Sequence, residues 1–259
     1  MRDFTKMADK RLTPDIGMDY LFYIYDRAIN ARSSLSALVQ TRANFDTLVA
    51  KYATPVSEEP HVDRQYHDFN HVIEGVKDIL SIESDCDCSE GSIDDVLLAW
   101  FYHDSIYRLN PKTTTNEEES AWYALEDLVS MGFSAERAGR IHDLVIWTRH
   151  DKNPPEADYE ANLIVDIDLL RIASTPVETF FGLTAMVRKE FSFVDDKTWA
   201  EGRIAFWKGF LQRKGNRVFR TTHFEHLNGI AVSNIEKEVF HQGKINSLLN
   251  LCMERIHKE

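Results

Sequence analysis

The chain is poor in the residues that cross-link or interrupt regular structure. Its 259 residues include 3 Cys, 7 Pro and 11 Gly. Cys86, Cys88 and Cys252 form no even-numbered disulfide framework and fit a reducing compartment. Cys86-Asp87-Cys88 sits in the polar stretch "ESDCDCSEGS" with no matching second pair, so it reads as loop rather than as a metal site. Basic residues are also short, 30 against 42 acidic, for a net charge of −12. This balance argues against a nucleic-acid surface or an anionic-membrane surface. No segment approaches the roughly 20 apolar residues of a membrane span. The first residues, "MRDFTKMADKRLTPD", lack the apolar core of a signal peptide, and a cytoplasmic location is expected. What is present, 43% hydrophobic and 28% charged residues, is ordinary globular composition with enough apolar mass for a full core.

With so few breakers and few strand-like alternations, the pattern reads as helical nearly throughout, and no internal repeat is visible. A first helical segment runs from Asp19 to Tyr52, broken near "ARSSLSA". After the Pro-containing connection "ATPVSEEPHVD", Val72, Ile73, Val76, Ile79 and Leu80 follow the i, i+3, i+4, i+7 pattern. "DDVLLAWFY", Asp94 to Tyr102, is apolar almost all round and predicts a buried central helix. Further helices are expected from Glu117 to Met131, closed by Gly132, and from Ala135 to Arg149. Others follow through "YEANLIVDIDLLRIAS" and over Val177 to Phe191, Asp196 to Arg213 and Ile230 to Ile256.

Three places on this pattern hold residues able to do chemistry. His67 and His71 are four apart and would share one helical face, with Asp68 a candidate cap; such a pair can grip an ion or a substrate, but is common without either. His103-Asp104 ends the central helix, where an unpaired charge is costly, so Asp104 needs a partner: a buried Asp–His hydrogen bond or a metal. In "NLIVDIDLLRI", Asp166 and Asp168 lie among apolar residues, where carboxylates are seldom tolerated without a cation. Two residues is about 200° around a helix, so only one of the two can face a given point. Arg64 is offered either as a phosphate contact or as a surface ion pair with Glu58, Glu59 or Asp63. Glu117 and Glu118 follow Thr115 and Asn116 as in a capping box. His142 and His150, eight apart, are candidates for a second metal or a phosphate contact. The aromatics Trp100, Phe101, Tyr102, Trp147, Phe206 and Trp207 are expected in the core. Tyr107 and Trp122 are kept as candidates for stacking on a base.

In order, His71, His103-Asp104 and a later Asp give the pattern H…HD…D. Around it stand "YATP", "RQYHDFNHV", "WFYHDSIY", "NEEESA", "IWTRH", "IVDIDLLRIA", "VRKEFSFVDDKTWAEGRIAFWKGFLQR" and "RVFRT". On these motifs, spanning roughly Phe45 to Val239, the sequence resembles the HD-domain superfamily of metal-dependent phosphohydrolases, and more narrowly its bacterial family of predicted HD-superfamily phosphohydrolases. Two departures are a longer helical start and His150-Asp151 where the family has His-His after "TR".

The resemblance implies an all-α HD-domain helical bundle, with residues 1–44 as an N-terminal helical extension and 45–259 as the core with C-terminal helices packed on it. It implies a divalent metal (Mn, Mg, Fe, Ni, Co or Zn) on His71, His103, Asp104 and Asp168, with Asp166 beside the site as a supporting group. By similarity to the YHN-x-x-HA pattern of cyclic-nucleotide phosphodiesterases, His67 is the proton donor. The HD-superfamily resemblance also places Glu117 and Glu118 beside the metal, and Asp104 and Arg64, the latter one turn before His67, complete the expected catalytic group. The expected activity is hydrolysis of a phosphate ester or anhydride of a small phosphorylated substrate, a nucleotide or similar. A di-iron oxygenase on the same fold and a non-catalytic nucleotide-binding protein are the alternatives.

Overall fold

The computed structural model describes residues 17–29, 35–85, 92–109 and 113–240. Cys86, Cys88, Cys252, His241, His257 and the last expected helix beyond residue 240 lie outside them. The described chain is an all-α bundle: α1 (Met18–Ile29), α2 (Leu35–Lys51), α3 (Phe69–Ile82), α4 (Ser92–Tyr102), α5 (Asn116–Ser130), α6 (Ala135–Trp147), α7 (Tyr159–Leu169), α8 (Val177–Glu190), α9 (Asp196–Lys214) and α10 (228–240). The strands among the described residues are a short antiparallel hairpin, β1 (Ser57–Glu58) and β2 (His61–Val62), within the Pro-containing connection.

Helix α4 is the axis. Ile93 and every residue from Val96 to Tyr102 are buried, so it keeps no solvent face, and α1, α3, α5, α6 and α7 all pack on it. Helix α7 is nearly as enclosed, buried from Ala161 to Ile167. The caps are local chemistry. Thr115 and Glu118 close a capping box on α5, and Gly132, at φ 92°, turns the chain from α5 into α6. Among the described residues no helix is long and apolar enough to cross a membrane.

The expected boundary at residue 44 falls inside α2, one continuous helix from Leu35 to Lys51. Helix α1 joins the common core. Tyr25 sets its ring edge-on to Phe101 at 5.4 Å and its hydroxyl 2.7 Å from that of Tyr102.

Candidate metal centre and cavity

Three helices deliver the ligand-type residues to one end of the bundle. His71 sits in the first turn of α3 on its buried face, His103 and Asp104 form the turn after α4, and Asp168 lies in the last turn of α7. One ligand atom each from His71, His103 and Asp104 lie within 4.8 Å of one another, a cluster able to hold a metal ion. Asp168 Oδ1 is 3.4 Å from His71 Nε2 and 3.9 Å from His103 Nε2.

The protonation of His103 follows from its neighbours. Nδ1 is 2.7 Å from the Trp100 carbonyl oxygen, which can only accept, so Nδ1 carries the hydrogen and Nε2 of the neutral ring offers a lone pair. Nε2 of His103 and Nε2 of His71 are both buried without a hydrogen-bond partner. Asp104 Oδ2 is 3.1 Å from His103 Nε2 but not aligned as a hydrogen bond. Such groups are costly to bury unsatisfied, and a cation between them satisfies both. The field agrees. Burial opposes charge on His103, yet the Asp104 and Asp168 carboxylates raise its pKa to about 9. Burial likewise opposes ionisation of Asp104 and Asp168, yet the histidines hold both well below the usual carboxylate range. The cluster draws positive charge, as protons or as metal.

A close helix crossing holds His103 in place. Trp100 stacks on the His103 ring at 4.0 Å and donates from Nε1 to the Val72 carbonyl at 2.8 Å. A Cβ at Gly75 would lie 2.1 Å from the Trp100 ring, which is fully buried. Gly75→Ala is therefore expected to destabilise the fold by about 1–3 kcal/mol or more. It should also weaken metal uptake by displacing His103. Urea unfolding and metal titration of the variant test this.

Asp166 and Asp168 point apart, as a two-residue step requires. Asp166 is fully buried and accepts from Arg220 N, Thr221 N and Thr221 Oγ1 at 2.7–3.0 Å, so it anchors the segment between α9 and α10. Burial pushes its pKa up to about 6 against those donors. Asp168 faces the cluster, and its Oδ2 meets His150 Nε2 at 2.7 Å. His150 adopts φ 58° after α6, a left-handed conformation that aims its ring at Asp168. The partner paired with it in the sequence is elsewhere: His142 contacts Asp143 and the edge of Trp122.

The expected shared face of His67 and His71 is corrected. Asp68 is the N-cap of α3, so His67 lies outside the helix, with its ring centroid 6.4 Å from that of His71. His67 stacks on Tyr107 at 3.9 Å and places Nδ1 2.7 Å from Glu190 Oε2. Glu190, the fully buried last residue of α8, also accepts the backbone N–H groups of Gln65, Tyr66 and His67 on Oε1. Burial alone would lower the His67 pKa, but Glu190 holds it above its ordinary value.

Arg64 is neither a free phosphate contact nor a surface ion pair. Its guanidinium is buried and donates to the carbonyls of Thr54, His67, Asp104 and Ser105 and to Thr54 Oγ1, at 2.7–3.3 Å. All five N–H donors are used, three on the His67 and Asp104-Ser105 loops and two on Thr54, so the guanidinium ties the three segments together. Glu118 is taken up by the α5 cap and by Arg149, 2.7 Å away. Glu117 lines the cavity, its carboxyl raised by burial and by Asp104.

The cavity, about 560 Å³, runs from His67, Asp104, Glu117, His150 and Asp168 toward α8 and α9. Trp207 is buried in the core as expected and also forms part of the wall, whereas Phe206, expected in the core, is exposed along it. Tyr107 spends one ring face on His67, and Trp122 is not in the wall. Comparison with protein-family models, with curated proteins and with solved structures finds no match to this chain. Glu190 and Gly75 escaped the sequence reading: Glu190 is one of 42 acidic residues, and only its burial at the end of an amphipathic helix singles it out.

Proposed function

We propose that the protein is a metal-dependent phosphohydrolase acting on a small phosphorylated molecule, as its resemblance to the HD-domain superfamily implies. The observation that carries this reading is the pair of buried, unpartnered imidazole Nε2 atoms of His71 and His103, facing the carboxylates of Asp104 and Asp168. This mixed N/O set suits Mn, Mg, Fe, Ni, Co or Zn. These four residues would hold a divalent ion, which when bound would supply Lewis-acid polarisation of a phosphoryl oxygen and a more acidic water. The remaining work falls to the chain's own groups. Glu190 favours the protonated form of His67, and with Nδ1 on that carboxylate the ring has Nε2 left to protonate the leaving oxygen. Tyr107 fixes the plane of the His67 ring. Glu117 adds a second titratable carboxyl to the wall.

The test is phosphate release from p-nitrophenyl phosphate and a nucleotide panel with each ion in turn. Release that EDTA abolishes and metal restores is the expected result. Thermal stabilisation by a nucleotide with no release would make the protein a binding module instead. Because His103 holds a proton up to about pH 9 in the metal-free cluster, metal must displace that proton. Affinity for the ion should therefore climb as pH rises toward 9, and calorimetry in buffers of different ionisation enthalpy should register the released proton.

One observation favours a second reading. His150 reaches Asp168 from the far side of the cluster, an arrangement suited to two ions sharing that carboxylate, as in a di-iron oxygenase on the same fold. Iron–iron coupling in the Mössbauer spectrum, with no phosphate release, is the result expected of it.

A further inference from the structure

The two ends of the cavity differ in character, and the difference bears on the substrate. Helix α8 turns Phe180, Leu183 and Val187 into it, and its C-cap Phe191 follows, at three- and four-residue spacing. Helix α9 supplies Trp199, Phe206 and Trp207 from the other side, with Gly202 between them. The opposite end carries Asp104, Glu117 and Asp168.

Charge in the wall is already balanced or negative. Among the described residues three guanidiniums line the cavity, those of Arg149, Arg171 and Arg203. Arg149 pairs with Glu118 and Asp151, and Arg171 with Glu74 and Asp78. Arg203 pairs with Glu238 at 2.7 Å and lies over the Trp207 ring at 4.6 Å. A polyphosphate tail entering this wall meets acidic groups and neutralised cations. A nucleobase fares little better at the other end, where the Thr184 and Thr198 hydroxyls already donate to Glu238 and Asp195.

We infer that the substrate is a phosphate monoester of an apolar alcohol, with its phosphate at the His71–His103–Asp104 end and its apolar body between α8 and α9. The inference rests on the phosphohydrolase reading and narrows it to one phosphate and a water-averse leaving group. The volume, about 560 Å³, falls in the range of small-molecule sites. In the reaction a water oxygen bonds to phosphorus and the phosphorus–alkoxide bond breaks. The alcohol leaves with the proton from His67, and the water's proton passes to solvent or to the phosphate.

The test is a series of n-alkyl monophosphates from butyl to decyl, whose leaving groups are almost equally basic, so that rate differences report the pocket. Glycerol 3-phosphate, nucleoside 5′-monophosphates and 5′-triphosphates, and p-nitrophenyl phosphate complete the panel. The full chain is loaded with a divalent ion that supports release from p-nitrophenyl phosphate, or with each candidate ion in turn if none does. The expected result is a kcat/KM that climbs about three- to fourfold per methylene until the cavity is filled. Gly202 lines the apolar end and a Cβ placed there meets nothing within 4 Å, so Gly202→Leu adds apolar bulk at the cavity wall. It should cut the octyl-to-butyl ratio of kcat/KM by about tenfold or more, since several methylenes lose their place.

A flat alkyl series, or preference for glycerol phosphate or nucleotides, overturns the inference and leaves the hydrolase intact. A chain-length gain that Gly202→Leu does not touch overturns the placement between α8 and α9. Absence of release from every compound with every ion, p-nitrophenyl phosphate included, overturns the phosphohydrolase reading and this inference with it.

Discussion

Asp104→Ala is expected to leave the purified protein without bound metal and without phosphate release. The carboxylate stands 3.1 Å from His103 Nε2, and its guanidinium neighbour Arg64 touches only its backbone oxygen, so the side chain is committed to the cluster. Elemental analysis and melting curves with and without metal separate this expectation from a purely structural role. A buried ion pair broken on one side costs about 3–5 kcal/mol whether or not metal is added. A metal ligand shows itself differently. Wild-type protein should gain about 2.7 kcal/mol when the ion is present at a hundred times its Kd, and the variant should gain nothing. Asp168→Ala should behave alike, because that carboxylate faces His71 and His103. Asp166→Ala should keep the metal and lose stability instead, since it strips the acceptor from buried donors of Arg220 and Thr221, at about 1–3 kcal/mol for each group left unsatisfied. Full metal occupancy in Asp104→Ala would falsify the assignment.

What the sequence disclosed and what it withheld divide along a physical line. Helix α4 was legible because a run apolar on every face, "DDVLLAWFY", can only lie inside a bundle, and it does. The opposed directions of Asp166 and Asp168 followed from helix geometry alone, and the structure puts one on Thr221 and the other at His150. Positions fixed by tertiary contacts were not legible. Nothing local says that Arg64 spends four donors on loop carbonyls and the fifth on the Thr54 hydroxyl, or that Gly75 is the point where Trp100 passes α3. The helical face shared by His67 and His71 failed for a local reason that spacing alone does not reveal. Asp68 competes for the helix N-terminus and wins, by accepting from the N–H groups of Asn70 and His71. Aromatic residues at helical spacing read as core, and Phe206 shows the ambiguity, because a cavity wall has the same pattern.

His67→Ala is expected to keep both fold and metal and to slow turnover by about 10²–10⁴-fold, the usual range for loss of a general acid. The loss should shrink for p-nitrophenyl phosphate, whose leaving oxygen departs without a proton, and stay large for an alkyl phosphate. Glu190→Gln should reproduce part of this effect by a different route. The amide still accepts N–H groups at Oε1, but the charge that holds the His67 proton is gone. His67 then falls back toward the pKa that burial alone would give it, below its present raised value. The sign is fixed: a group with a raised pKa is protonated below that value and loses its proton as pH rises through it. The alkaline limb of kcat for alkyl phosphates should therefore move to lower pH in Glu190→Gln, with little movement for p-nitrophenyl phosphate. Rates for both leaving groups across pH, with metal content measured alongside, decide the matter. Equal slowing for the two leaving groups in His67→Ala would make His67 a positioning residue. Metal loss in the same variant would make it a ligand.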